Sequence, residues 1–475
     1  MIKFLSSNFA FDSWIYYVIC GVLSLLVLFG IYLMSDVKKS VLGNRISAFA
    51  MLASIVVTLV YNKILPVWYI YLCMVIGAII GIIFTLKVKM IQMPQLVALL
   101  NGLGGASSAL VGIFAILGIG VGEAKGIFSD LTSGIAIAVG FVTLIGSLVA
   151  AGKLHRVLPQ KPIVYKGHKY YTLISLMLTL SSIIGLVFIN EEIIFTILVI
   201  SLSVFSSLFG LFFSIRVGGA DMPITISLLN SFSGVAAAIA GLAISDALLV
   251  SIGGIVGASG LLLTQVMCKA MNRKLLDILL SKSTKNNIAT KKTIATTATK
   301  EEVLEKQEKT AVDAIKEAKN VIIVPGYGMA VAQAQHLVKK LADYLRGNGA
   351  TIKYAIHPVA GRMPGHMNVL LCEADVDYED LYEMEDINKE FETADLTIVI
   401  GANDVLNPAA REAEGTPIYG MPILDVDKCK EVIIFNYDLK PGYAGVENPI
   451  YNRSGVYKEL GNASDTIAKV LNELK

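Results

Sequence analysis

The sequence predicts two unlike parts: a multi-span bundle of about nine membrane-crossing α-helices, followed by an α/β domain built on a doubly wound parallel sheet. Three observations carry that reading. The 475-residue chain is 55% hydrophobic and only 16% charged, with a mean hydropathy of +0.65, whereas about a quarter of an ordinary soluble domain is charged. The charges are also segregated, being few between Ser13 and Cys268 and of ordinary density after Lys269. Lastly, Val321 to Gln335 reads VIIVPGYGMAVAQAQ, an apolar strand, a glycine pair and a run of small and apolar residues of helical pattern.

Taken in chain order, the apolar half divides at polar punctuation. A span needs about 20 apolar residues to cross a ~30 Å hydrocarbon core. Candidates fall at 14–34, 46–62, 66–86, 95–118, 131–152, 171–189, 192–214, 223–243 and 247–268. The start, MIKFLSSNFAFD, has neither the Arg-rich pattern of a transit peptide nor a clear cleavage site after its apolar run, so that run is expected to stay as a span. Alternate loops hold Lys38, Lys39, Arg45, Lys87, Lys89, Lys153, Arg156, Lys161, Lys166, Lys169 and Arg216, with Lys269, Arg273 and Lys274 after the last span. The other side holds only Lys3, Lys63 and Lys125. Positive charge gathers on the cytoplasmic side, which puts the N-terminus outside and the C-terminal domain in the cytoplasm.

Small residues cluster in 101–110, 231–241 and 251–260, runs that let helix backbones approach closely. Asn101, Ser147 and Asn230 are polar residues inside spans, where an unpaired polar group is costly. Two readings stand for them, interhelical hydrogen bonding and a hydrated path. Asp221, in RVGGADMP, marks an inner mouth or a solvated loop acid. None of the five histidines falls near the middle of a span; His155 and His168 share one inner loop.

The soluble half opens after a Thr/Lys-rich stretch, 281–298, with linker composition. The expected division is a membrane domain 1–274, a linker 275–298 and a soluble domain 299–475. Thr299 and Glu302 have capping-box spacing ahead of a helix to about Lys319. In the fingerprint, Val321 to Val324 is the strand, Gly326-Tyr327-Gly328 the tight turn, and Met329 to Leu345 the helix. Glycines there let the backbone approach a pyrophosphate at the helix start. Runs at 352–356, 369–372, 396–401 and 432–435 complete a Rossmann-like strand set. The second strand ends Ile356-His357-Pro358, without the acid that would receive a free 2′-hydroxyl, which leans toward NADP. Asp343 has nearer the nominal spacing but falls in a helical pattern.

A net charge of +2, without a basic stripe, argues against a nucleic-acid partner. Cys20, Cys73, Cys268, Cys372 and Cys429 are scattered without ligand spacing, so neither a disulfide framework nor a metal site is expected.

Over nearly its whole length the chain resembles the β subunit of proton-translocating NAD(P) transhydrogenase. The resemblance rests on MPQLVALLNG (93–102), GGADMPITISLLNSFSG (218–234), PGYGMAVAQAQ (325–335), IHPVAGRMPGHMNVLL (356–371), VIGANDVLNPAA (399–410), GMPILDV (420–426) and GYAGVENPIY (442–451). It implies NADP(H) on this chain and NAD(H) on an α-subunit partner, with AB-type hydride transfer between them coupled to inward proton movement. It also implies a homodimer of αβ units in a bacterial inner membrane. By position, Gly326, Tyr327, Gly328, Met329, Ala330 and Val331 would line the pyrophosphate turn, and Arg362 would meet phosphate or nicotinamide. Gly401, Asn403 and Asp404 would form an element linked to redox state. Gly442, Tyr443 and Ala444 would belong to a loop closing over the cofactor, and Asn101, Ser147, Asp221 and Asn230 would line the proton path.

Two positions depart from the family pattern. Some members carry His where this chain has Asn101, and a Lys-Arg-Ser clamp for the 2′-phosphate where it has Asn436, Tyr437 and Asp438, with Lys440 two residues on. Further on, Gly461-Asn462-Ala463-Ser464 replaces a Gly-Asp-Ala-Lys run. An Asp suits a 2′-hydroxyl, so NAD stays open beside NADP. The rival function is a channel or transporter gated by a nucleotide-sensing Rossmann domain.

Overall fold

The structure is a computed structural model that describes residues 13–36, 39–62, 64, 66–88, 92–119, 126–159, 162–189, 191–218, 221–270, 275, 310–361, 365–414, 416, 418–442 and 444–474. The chain divides into two units, residues 1–264 and 265–475.

Among the described residues of the first unit, nine helices are long and apolar enough to cross a membrane. They are α1 (Ser13–Met34), α2 (Ser40–Tyr61), α3 (Trp68–Lys87), α4 (Met93–Ile116), α5 (Ile127–Leu154), α6 (His168–Phe188), α7 (Glu192–Ile215), α8 (Met222–Ala243) and α9 (Ala247–Ala270). All nine expected spans are present, the second beginning six residues before position 46, at Ser40. Pro94 and Pro223 stand in the first turns of α4 and α8, where a missing N–H costs nothing.

Helix α5 is the axis of this unit and packs on α4, α6, α7 and α8. Small residues make the approach possible. A Cβ on Gly105 of α4 would lie 2.7 Å from the Gly140 carbonyl oxygen of α5, and one on Gly140 would lie 2.5 Å from the Gly105 oxygen. Without a hydrophobic drive between helices in lipid, such backbone contact is the chief source of association. The small-residue runs of α8 and α9 meet in the same way, Gly234 against Gly257.

The second unit opens with α10 (Ala311–Glu317), capped by reciprocal bonds between Thr310 and Asp313; the Thr299/Glu302 spacing lies outside the described residues. A six-stranded parallel sheet follows: β1 (Asn320–Pro325), β2 (Thr351–Ile356), β3 (Leu381–Glu383), β4 (Leu396–Ile400), β5 (Glu431–Asn436) and β6 (Val456–Leu460). Its spatial order is β3-β2-β1-β4-β5-β6. The helices between strands are α11 (Tyr327–Ala332), α12 (Gln335–Gly347), α13 (His366–Glu373), α14 (Met384–Ile387) and α15 (Ala409–Glu412), with α16 (Ala463–Glu473) last.

Strand side chains alternate between two cores, as the two-residue period requires. Val321, Ile323, Tyr354, Ile398 and Phe435 pack under α10, α12, α13 and α16 through Ile315, Leu341, Leu370 and Ile467. Ile322, Val324, Val399 and Ile434 face Ile387, Phe391, Leu424 and Ile450 on the other side. A parallel sheet covered on both faces accounts for the nearly unbroken apolar strands.

Two local expectations are corrected. Residues 369–372, taken as a strand, are helical within α13. The helix expected from Met329 to Leu345 begins at Tyr327 and breaks at Gln333, whose φ is 50° and ψ 39°. There the Ala334 N–H donates to Met329 O at 3.1 Å and the Gln333 N–H to Ala330 O at 3.2 Å, the paired bonds of a Schellman end.

Candidate functional site

In an open parallel sheet the ligand crevice lies beyond the carboxyl ends of the strands, where chain direction across the sheet reverses. Here that point lies between β1 and β4, which pair in parallel although β2 and β3 intervene in sequence. Gly326 and Gly328 fasten the turn after β1 to the end of β4. The Gly326 N–H donates to Ile400 O and the Gly328 N–H to Gly401 O, both at 2.8 Å. Gly401 has φ +65°, and a Cβ there would stand 2.2 Å from Gly328 Cα. The turn glycines thus serve backbone contact between strand ends, and two of the N–H groups near the helix start are spent on carbonyls. Met329 and Ala330 are buried in the core, Tyr327 is half-buried, and Val331 is 47% exposed.

The residues after β4 hold the segment after β5. Asn403 Nδ2 donates to Lys440 O at 3.0 Å, and Asn403 Oδ1 accepts from Asn448 Nδ2 at 3.1 Å. Asp404 Oδ2 accepts from the Ala444 N–H at 3.1 Å, while a Cβ on Gly442 would come 2.6 Å from Asp404 Oδ1. Buried Asn407 reaches Glu447 O at 3.2 Å. Residues 440–448 are therefore strapped across the end of β4 by one short polar motif. Sequence reading missed Asn407 and Asn448; the signal was a second cluster of asparagines, Asn448 falling in VENPIY. Arg362 and Tyr443 lie outside the described residues.

At the end of β5, Asn436 is buried and donates to Ala402 O and to the Tyr451 hydroxyl, each at 3.1 Å. Burial pushes the Tyr451 phenol up to about 12. Tyr437 is 80% exposed. Asp438 accepts from the Lys440 N–H at 3.1 Å and pairs with its ammonium at 3.4 Å, so the acid and the base of this loop meet each other. Asp343 pairs with Lys339 on the surface of α12, away from any strand end. His357, at the tip of β2, is buried. Its Nδ1 accepts from the Val359 N–H at 3.2 Å, so Nε2 carries the proton and donates to Pro422 O at 2.9 Å. A ring fixed this way is neutral, and burial lowers its pKa to about 4.

In the helical unit, Asn101 is buried on α4 and donates to Ile226 O of α8 at 3.4 Å. Ser147 on α5 is fully buried; a Cβ on Gly102, next to Asn101, would meet the Ser147 Cβ at 3.0 Å. Its hydroxyl has no hydrogen-bond partner among the described residues, and neither has that of Ser214 on α7. A Cβ on Gly146 would lie 2.8 Å from Ser214 Oγ, so both hydroxyls adjoin one turn of α5. Asn230, half-buried, stands one turn beyond Ile226, and Asp221 holds the N-cap position of α8 without a side-chain cap bond. At 1.5 Å per residue, Asn101, Ser147 and Asn230 all lie ~10–12 Å from the helix ends at Met93, Leu154 and Met222. The three are at one depth, which spacing in sequence did not reveal. Orphaned buried hydroxyls of this kind call for water.

Lys153, Arg216 and His168, expected in loops, are all buried. Lys153 Nζ donates to the Ile215 and Val217 carbonyls, the latter at 2.8 Å, and His168, the first residue of α6, bonds Phe212 O at 2.8 Å.

The nine long apolar helices among the described residues, followed in the chain by a parallel sheet of this order with glycines closing its reversal point, define a membrane protein that carries a Rossmann-like fold. Residues 16–473 match the NAD(P) transhydrogenase beta subunit family, and the chain belongs to that family. Two curated relatives from Rhodospirillum rubrum, each named NAD(P) transhydrogenase subunit beta, are 38% identical to it over 462 residues, 96% of this chain and 97% of theirs.

Proposed function

We propose that this chain binds NADP(H) at the reversal point between β1 and β4. It takes part in hydride transfer from NADH, held by an α-subunit partner, coupled to inward proton movement through α1–α9. The observation that carries the reading is the strap: Asn403 and Asp404 hold Lys440, Ala444 and Asn448 across the strand end beside the Gly328–Gly401 contact. Exposed apolar side chains that follow β1 and β5 at the carboxyl end of the sheet, Val331 and Tyr437, suit flat rings. When bound, the two nicotinamides supply the whole hydride chemistry, NADH + NADP⁺ giving NAD⁺ + NADPH, so no residue here acts as nucleophile or general base.

The chain's own work is position and timing. The turn 326–331 brings backbone to the pyrophosphate; Arg362 meets phosphate or nicotinamide, and Tyr443 covers the cofactor. Lys440 carries the positive charge offered to a 2′-phosphate, and Asp438 exchanges that partner for solvent when the phosphate arrives. Asn436 holds the loop root. Protons pass the level of Asn101, Ser147 and Asn230 through water, with Asp221 at the mouth. Coupling is differential binding: the strap's two states differ in NADP(H) affinity, and protonation in the bundle biases them. The assembly is a dimer of αβ units in a bacterial inner membrane, with the N-terminus outside, a proton-conducting domain 1–274, a linker 275–298 and a cytoplasmic domain 299–475.

Vesicles containing the full chain and its partner subunit test this. NADPH formation from NADH is expected to rise with an imposed inward proton gradient, and Asn101→Leu is expected to lose that response while still binding NADP. Hydride transfer indifferent to the gradient refutes the coupling, and no hydride transfer at all favours a gated channel. If NAD competes with NADP as strongly as NADP itself, the 2′-phosphate assignment fails.

A further inference from the structure

At one corner of the helical unit a largely buried arginine is without a protein partner among the described residues. Helix α7 ends at Ile215, and Arg216 is its C-cap. Arg216 is only 5% exposed; among the described residues its Nε is sealed from solvent without a hydrogen-bond partner, and only the tip of its guanidinium is left open. An arginine cannot escape by losing its proton, and a guanidinium largely withdrawn from water is stabilised by an anion at the face it leaves open. The carbonyls that end α7 do not relieve it: Ile215 O and Val217 O, on either side of Arg216, both accept from fully buried Lys153. The negative end of the helix dipole is thus already offset by another cation.

The surroundings identify what supplies the missing anion. Residues 162–168 run along 212–218, with the Ile163 N–H donating to Ile215 O at 3.3 Å and the His168 ring edge-on to Phe212. Tyr165 stacks on His168, and Tyr171 on Phe212. Around them stand Lys166 and Lys169, exposed, and Tyr170, 72% exposed. Exposed tyrosines with lysines at the ends of apolar spans mark the depth of lipid headgroups, and basic clefts between spans at that depth receive anionic ones.

We propose that Arg216, with exposed Lys166 and Lys169 on the segment whose Ile163 and His168 pack against the end of α7, binds the phosphate of an anionic phospholipid at the membrane boundary. The tyrosines give the acyl and glycerol portions an apolar footing that a free phosphate would not use. This inference rests on the membrane reading of α6 and α7 and not on the hydride reaction, so either can fail alone.

The test is lipid retention by the full chain, measured by native mass spectrometry after extraction from nanodiscs of phosphatidylcholine mixed with phosphatidylglycerol. The wild type is expected to keep phosphatidylglycerol in preference. Arg216→Gln is expected to lower that preference about tenfold, the equivalent of one charge-assisted contact at ~1.4 kcal/mol, and Arg216→Lys to retain most of it. Inorganic phosphate added to pure phosphatidylcholine discs is expected to leave the melting temperature unchanged. A wild type without preference overturns the proposal whether or not the variants fold. So does an unchanged preference in Arg216→Gln, full stabilisation by inorganic phosphate alone, or loss of the lipid on adding the partner subunit, which would make the anion a partner carboxylate.

Discussion

Replacing Gly401 by alanine attacks the contact on which the nucleotide crevice depends. At φ +65° an L-residue costs ~1 kcal/mol. The added methyl would stand 2.2 Å from Gly328 Cα and 2.6 Å from Gly328 N and C, all backbone that cannot rotate aside. Forcing the strand ends apart to admit it costs ~2 kcal/mol by the usual range for overpacking. Together these give ~3 kcal/mol, and at ~2–4 °C per kcal/mol for a unit of this size the melting temperature falls ~6–12 °C. Thermal unfolding of the full chain, followed by near-ultraviolet signals and by NADP(H) protection, measures it. A matched control is Gly347→Ala at the end of α12, where a Cβ meets nothing within 4 Å; it is expected to stabilise by ~0.4–1 kcal/mol. If Gly401→Ala melts within about 1 °C of the wild type and binds NADP(H) normally, backbone contact between Gly328 and Gly401 does not hold the crevice.

Three further outcomes are expected. His357 stays neutral in the folded state down to about 4, while its unfolded value is 6.5. The unfolded chain therefore binds the extra proton between those values, and stability present above pH ~6.5 is lost as pH falls toward ~4, by about 3 kcal/mol at ~1.4 kcal/mol per pH unit. His357→Gln should remove that part of the acid slope, read as the difference in melting temperature between the two proteins across the window. Asp404→Ala takes the acceptor from the Ala444 N–H and leaves space behind Gly442; at ~1.4 kcal/mol, hydrogen exchange in 440–446 should quicken about tenfold with little change in β1 or β4. In the bundle, Gly105→Val drives a side chain into the Gly140 carbonyl at 2.7 Å, and the expected loss of ~1–3 kcal/mol should appear as a lowered midpoint on unfolding in detergent.

What the sequence concealed follows a physical pattern. Two residues past the end of α12 stands Gly349, φ 85°, with the Ala350 N–H on Leu345 O, and a glycine in that place is a visible stop signal. Helices α11 and α13 end with the same pair of bonds, but the left-handed residue is Gln333 in one and Asp375 in the other. Nothing in their side chains announces it, so a break was missed at one and a strand was read into the other. Strands β3 and β6 escaped because they are edges: LYE and VYKEL carry the charge that guards an unpaired edge and so lack the apolar signature of β1, β4 and β5. The spans were legible because lipid demands some 20 apolar residues each. The burial of Lys153 and Arg216 was not, since a cation at a span end looks the same whether it meets solvent or a neighbouring helix end.

The one-depth arrangement of Asn101, Ser147 and Asn230 bears on how a proton could pass. An amide does not titrate and a serine hydroxyl does not in this range, so none of the three can carry charge by itself. What they offer are donors and acceptors, and two hydroxyls there, on Ser147 and Ser214, have no protein partner among the described residues. That combination suits a few waters beside the two hydroxyls, and a longer file would need α4, α5 and α7 to part, because Gly102 stands against Ser147 and Gly146 against Ser214. If protons pass here as proposed, hydration would be their gate. The bias that opens it has to reach the ends of α7 and α8, where Lys153 ties Ile215 and Val217 to the last turn of α5 and Asp221 opens α8. On α7 the tie at Ile215 stands one residue from the unpartnered Ser214 hydroxyl, so release of the Lys153 contact would free that helix where its hydroxyl lacks a partner.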